Sequence, residues 1–212
     1  AAGLSWRELP LAAAWFAGYF AFFAASLWLK SGRKARYWPP VRWYAVLAAG
    51  LGGLTVLVSP TVLRWVPAFA ALLGGALWAA ARRRERDTLA GLATVLMASL
   101  MTLVAYEVGG GSDLRRAVLL ALGQFLYFAG TVLYVKSVIR ERGNTSFLVL
   151  SVAAHAGATL VVLAFSWWLA VVFVLLTLRA AVVPRLNLRP GQIGAGEMVS
   201  VLAVGLVSLA TV

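Results

Sequence analysis

Apolar residues follow one another along this chain in eight long runs, near 9–29, 43–59, 62–81, 88–108, 117–136, 146–164, 166–183 and 195–212, separated by short polar or basic stretches. The runs are continuous and lack the period-two alternation of a half-buried strand, which excludes a transmembrane barrel. Each is close to the roughly 20 residues that a helix needs to cross about 30 Å of hydrocarbon. A span in lipid has to satisfy its backbone polar groups internally, so helices are expected. The pattern predicts an all-α fold, a polytopic membrane helix bundle with eight transmembrane helices.

The polar punctuation recurs. Leu27 to Arg36 (LWLKSGRKAR) returns 106 positions later as Leu133 to Arg142 (LYVKSVIRER), and 106 is half of the 212 residues. Lys30/Lys136, Ser31/Ser137 and Arg36/Arg142 are identities, while Trp28/Tyr134 and Lys34/Arg140 are conservative pairs. Arg83 falls on Arg189 in the same register. A single membrane domain, 1–212, is therefore expected to consist of two four-helix repeats, 1–106 and 107–212. Four is an even number of crossings, so the repeats are parallel. In each half a break follows the basic motif, Trp38-Pro39-Pro40 in the first and Gly143-Asn144-Thr145 in the second, with Asn144 or Thr145 placed to cap the next helix.

Composition turns the pattern into a membrane assignment. Hydrophobic residues make up 62% and charged residues 12%, with a mean hydropathy of +0.89, more apolar surface than a soluble domain of this size can bury. A net charge of +12 would suggest nucleic acid in a soluble protein; here topology absorbs it, and no nucleic-acid partner is expected. If the spans alternate, loops 30–42, 82–87, 136–145 and 179–189 share one side and hold every basic residue except Arg7, Arg64, Arg115 and Arg116. The positive-inside rule makes those loops cytoplasmic, in a multi-pass protein of the cell membrane. With no cysteine there is no disulfide and no thiolate metal site. No cleavable signal pattern is present, and the Ala-Ala start without an initiator Met points to a natural product that extends upstream.

Small residues are dense in several spans, at Gly50, Gly52 and Gly53, Gly74 and Gly75, Gly123 and Gly130, and Ala154, Gly157 and Ala158, where close helix packing is the plain expectation and a cavity wall the alternative. Trp38, Trp43, Tyr44, Trp167 and Trp168 read as interfacial belt residues.

The basic motifs are the main candidates for chemistry. Lys30, Lys34 and Arg36 of the first motif, and Lys136, Ser137, Arg140 and Arg142 of the second, offer point-charge and bidentate donors suited to a phosphate or an anionic head group. Positive-inside anchoring alone explains basic loops, but it does not require the spacing K-S-x-x-[KR]-x-R twice. Within the spans, three polar residues stand out: His155 near mid-membrane, Gln124 as a lining residue, and Glu197 at the start of the last span, where it either pairs with an arginine of the basic motif or acts as a general base. Glu107 reads as a wetted helix end. Asp87 and Asp113 fall in separate loops, so no paired-aspartate Mg²⁺ cradle exists; no metal site and no cofactor are implied. No H-E-x-x-H, G-x-S-x-G or phosphate-loop motif occurs.

Tyr134 to Gly143 (YVKSVIRERG), with Ser151 and His155 downstream, resembles the YwiC-like family of bacterial integral membrane proteins, in which a VK-[ST]-x-IRERG stretch is followed by S-x-x-x-H. Trp15 to Lys30 followed by Tyr37-Trp38-Pro39-Pro40 is similar to the same family's early region. The family's His-Gly-Ala-Trp segment has no counterpart here, which implies one further helix upstream. With that helix the basic motifs would follow spans two and six, as the aspartate motifs do in UbiA-like prenyltransferases, so the scaffold resembles a UbiA-like one with lysine and arginine in place of aspartate. Membrane lipids are the expected partners. The leading expectation is a cytoplasm-facing basic pocket between the repeats that binds an anionic lipid or phosphate-bearing isoprenoid head group without a metal. A structural or assembly subunit of a membrane protein complex, or a carrier of an anionic metabolite, is the alternative. Whether the protein is an enzyme is left open.

Overall fold

The computed structural model describes residues 5–186 and 188–212, and among them there is no strand. Eight helices occur in chain order: α1 Glu8–Lys30, α2 Trp38–Val58, α3 Val66–Ala81, α4 Thr88–Val108, α5 Leu114–Ile139, α6 Thr145–Leu163, α7 Trp167–Val182 and α8 Pro190–Thr211. Short 3-10 turns, Ala35–Tyr37, Pro60–Trp65 and Val183–Arg185, adjoin α2, α3 and α7. With these turns included, all eight are long and apolar enough to cross a membrane. Their outward faces carry Leu57, Leu89, Leu160 and Leu206, each more than two-thirds exposed. Such surfaces would aggregate in water and are the expected exterior in lipid. The protein is a multi-pass membrane protein.

Several helix ends lie outside the apolar runs, for local reasons. Helix α2 starts at Trp38 rather than 43 because Pro39 and Pro40 fall in its first turn, where a missing amide donor removes no hydrogen bond. Helix α5 starts at Leu114, where Asp113 Oδ1 accepts the Arg116 amide at 3.0 Å. It also continues past Lys136 to Ile139, so part of the second basic motif is helical. Helix α8 starts at Pro190 rather than 195, and Gln192 Oε1 accepts the Arg189 amide at 2.9 Å. Arg179, assigned by sequence to a loop, lies inside α7.

The chain separates into two compact units, Ala1–Ala117 and Val118–Val212, the division falling inside the first turn of α5. In the first unit α1 packs most extensively against α2, and α3 against α4. Leu11, Val104 and Val108 form its buried cluster, with Val62, Trp65, Phe69 and Met101 packed on it. In the second unit Phe173, Leu169 and Val162, all essentially inaccessible, meet Tyr127, Ala158, Leu176 and Val204, so helices α5 to α8 share one core. A smaller cluster of Tyr134, Val138, Ala180 and Ile193 continues it. Helices α1 and α5 begin 106 positions apart, at Glu8 and Leu114.

Packing by small residues is narrower than expected. A Cβ added at Gly50, Gly52, Gly53, Gly74, Gly75 or Gly157 would meet nothing within 4 Å, whereas at Gly123 it would touch Leu169 and at Gly130 the His155 ring. Gly52 instead lines an apolar cavity of about 370 Å³ with Trp15, Trp65 and Phe69.

Candidate functional site

The first basic motif begins where α1 stops. The chain reverses through Gly32 (φ 75°) and Arg33 (φ 62°), and the Arg33 amide donates back to the Trp28 carbonyl at 2.9 Å. Ser31 Oγ donates to the Trp28 carbonyl at 2.8 Å and accepts the Lys34 amide at 3.2 Å, fastening the turn on both sides. In the second motif Ser137 Oγ donates to the Tyr134 carbonyl at 2.7 Å, the same i to i−3 bond at the equivalent position. The two serines are turn fasteners, and Ser137 is buried.

The cations differ in their surroundings. Lys30 Nζ pairs with Glu85 Oε1 at 3.2 Å, and Arg83 Nη2 donates to the Lys30 carbonyl at 3.1 Å, so the loop between α3 and α4 closes over the end of α1. Bonding to its own backbone amide, with Lys30 beside it, holds the Glu85 carboxyl below its usual range. Arg84 pairs with Asp87 at 2.7 Å within the same loop. Lys34 and Arg36 are exposed. Arg36 lies 4.9 Å from the centroid of the Tyr37 ring and donates to the Tyr37 hydroxyl at 3.2 Å. In the second motif Lys136 lies 5.8 Å from the Phe147 ring. The Arg140 amide still bonds the Lys136 carbonyl at 2.9 Å, one residue past the end of α5. Arg142 Nε donates to the Val138 carbonyl at 3.2 Å before Gly143 turns the chain at φ 85°.

A groove of about 310 Å³ runs between α1 and α2, lined by Phe20, Phe23, Ala24, Leu27, Tyr37, Pro40 and Tyr44. It is almost wholly apolar, and Tyr37 belongs both to this groove and to the basic motif. Tyr44 stacks on Phe20 at 5.4 Å and Trp38 leans on Trp28 at 4.8 Å, so these two belt aromatics also brace α1 against α2.

A second polar constellation lies within the helices of the second unit. Glu197 pairs with Arg179 Nη1 at 2.6 Å, and not with an arginine of either basic motif. Its other oxygen accepts from the Thr131 hydroxyl at 3.0 Å and the Tyr127 hydroxyl at 3.2 Å. Arg179 also donates to Ser200 Oγ at 2.8 Å and lies 4.2 Å from the centroid of the Tyr134 ring. Its remaining donors, Nε and Nη2, are buried without an acceptor among the described residues. His155 Nδ1 meets the Ser151 carbonyl at 2.7 Å on its own helix, while its opposite edge faces Gly130 on α5. Gln124 is exposed on α5. Glu107, partly exposed at the end of α4, is also partnered: Arg64 pairs with it and Trp65 Nε1 donates to it at 2.9 Å. No cluster of three or more His, Asp or Glu among the described residues is arranged to hold a metal ion.

The profile of the YwiC-like protein family matches residues 1–106, the half that carries the first motif, its serine-fastened turn and the groove. The chain belongs to the YwiC-like family. One relative, an "Uncharacterized protein" of Haemophilus influenzae (strain ATCC 51907 / DSM 11121 / KW20 / Rd), is 26% identical over 195 residues, covering 91% of this chain and 81% of the relative. No solved structure matches. In this YwiC-like chain, repeat spacing pointed to both basic motifs, and the rarity of ionisable groups in apolar runs pointed to His155 and Glu197. Both missed Arg179 as Glu197's partner, because an arginine near a span end reads as topology. A signal was present: Arg179 and Glu197 are separated by one short connection, and antiparallel neighbours so joined bring such residues level.

Proposed function

We propose that this YwiC-like protein holds an anionic lipid by its phosphate, the head group at Lys34 and Arg36 and the hydrocarbon or isoprenoid chain in the groove between α1 and α2. The observation that carries the reading is the double placement of Tyr37, whose ring lines the groove and bears the Arg36 guanidinium. A phosphate at Arg36 would exchange water for charge-assisted hydrogen bonds, and an apolar tail would fill a groove otherwise lined by Phe20, Phe23 and Tyr44. Lys30 contributes through the turn that it shares with Glu85 and Arg83, which holds the rim in place. The concentration of basic residues on one side of the spans favours a cytoplasmic head group. Lys136, Arg140 and Arg142 repeat the same donor set, and the second unit is read as taking a second head group.

Native mass spectrometry of the detergent-purified chain tests this. The wild type is expected to retain a phospholipid or an isoprenoid phosphate, the two being told apart by mass. The double variant Lys34→Glu, Arg36→Glu is expected to fold and to retain at least tenfold less, since each lost charge-assisted bond costs about 1.5–3 kcal/mol. Equal retention in the folded variant contradicts the reading. A lipid-free wild type that instead co-purifies with other membrane proteins in fixed proportion would favour an assembly role.

A further inference from the structure

The Arg179–Glu197 pair is costly where it lies. Both side chains are more than four-fifths buried, within helices that cross a membrane, and an ion pair in such a place seldom repays its desolvation. Its bonding is also uneven. Glu197 Oε2 accepts from Tyr127 and Thr131 and its Oε1 meets Arg179 only as an ion pair, whereas the guanidinium engages Glu197 and Ser200 through Nη1 alone. The vacant donors, Nε and Nη2, share one edge, the side-on fork that matches two oxygens of a single oxyanion. Two unmet donors of a buried charge should have been removed by a shorter side chain unless something else meets them.

We propose that Arg179 and Glu197 form a proton-linked binding site for a small monovalent oxyanion, whose two oxygens accept from Arg179 Nε and Nη2 while Glu197 takes up a proton. The linkage follows from charge. The pair is neutral as it stands, and an added anion would leave one uncompensated charge in a medium of low dielectric. A proton on Glu197 restores neutrality, and the resulting acid donates to a neighbouring oxygen while Arg179 turns to the anion. The titratable groups facing the pair are Tyr127 and Tyr134 on α5, His155 on α6 and Arg179 itself on α7; Glu197 is the sole ionisable side chain of α8. His155 feels the charges of both partners. Nε and Nη2 are out of contact with solvent and Tyr134 lies against the guanidinium, so entry of the anion requires a local opening. The site lies wholly in the second unit and does not rest on the lipid reading of the first.

The test is anion binding to the full chain in nanodiscs, with benzoate and methanesulfonate as probes, between about pH 5.5 and pH 8, where both stay ionised. Binding of the carboxylate alone, of the sulfonate alone or of both tells which oxyanion geometry the fork accepts. With one proton taken up per anion, affinity is expected to fall about tenfold per pH unit as pH rises. Arg179→Gln is expected to abolish binding, and Glu197→Gln to leave it independent of pH. Binding of neither probe to the wild type, unchanged binding in Arg179→Gln, or a pH dependence that survives in Glu197→Gln would each overturn the proposal. Should a variant fail to fold, a pH indicator read while a probe that binds, benzoate or methanesulfonate, is added to the unbuffered wild type decides: one proton per bound anion supports the site, and none refutes it.

Discussion

Single positions carry sharp consequences in this molecule because few side chains have a polar partner to spare. At Gly130 a methyl group would come within 2.9 Å of His155 Nε2, so Gly130→Ala is expected to lower stability by about 1–3 kcal/mol, seen as a drop in thermal midpoint in detergent. Gly157→Ala, where nothing lies within 4 Å, serves as the contrast and is expected to be neutral or stabilising by about 0.5–1 kcal/mol. Arg33 holds a left-handed backbone without being glycine, and Arg33→Gly is expected to stabilise the protein by about 1 kcal/mol in the same assay. Glu85 sets a pH dependence. Its folded carboxyl lies below the unfolded value of about 4.3, so its contribution is complete above that value and is lost as pH falls through the lower folded one. Glu85→Gln is therefore expected to lower the thermal midpoint slightly at neutral pH, and the difference should vanish in acid. His155 and Glu197 could be singled out from sequence because ionisable groups are rare in apolar runs. What met them was less legible: Gly130 lies on another helix and is ordinary in its own context, and Arg179 was signalled only by its nearness to Glu197 across one short connection.

At the scale of elements, hydropathy located every helix and misjudged the ends that capping chemistry decides. Helices α2 and α8 begin five residues earlier than their apolar runs, since proline in a first turn and the Gln192 bond to Arg189 start a helix without needing apolar residues. Asn144 was legible as a cap, being a short polar side chain between a glycine and a new run, and its Oδ1 accepts the Phe147 amide at 3.1 Å. Asn144→Ala is expected to cost about 1 kcal/mol, measured as a shift in denaturation midpoint, and to fray the first turn of α6 in hydrogen exchange. Arg179 exposes the limit of reading loops by charge. It snorkels to no interface and instead stays inside α7 against Tyr134 and Glu197.

For the whole molecule, lipid as solvent explains both what is exposed and what is hidden. Leucines are exposed on helices of both units, and polar groups gather in a few places, each of which then calls for a reason. One is the basic end of α1, joined by Tyr37 to an apolar groove, and the central claim is that this end holds an anionic lipid. Bilayer lipids touch every outward face, so specificity decides the matter. The most direct measurement is photo-cross-linking of the wild type in nanodiscs with a diazirine-tailed anionic phospholipid, followed by peptide mapping. Labelling is expected to concentrate on the peptides holding Phe20, Phe23 and Tyr37 to Tyr44, and unlabelled anionic lipid is expected to compete it away while zwitterionic lipid does not. Labelling spread evenly over all eight helices, and indifferent to head-group charge, would contradict the claim.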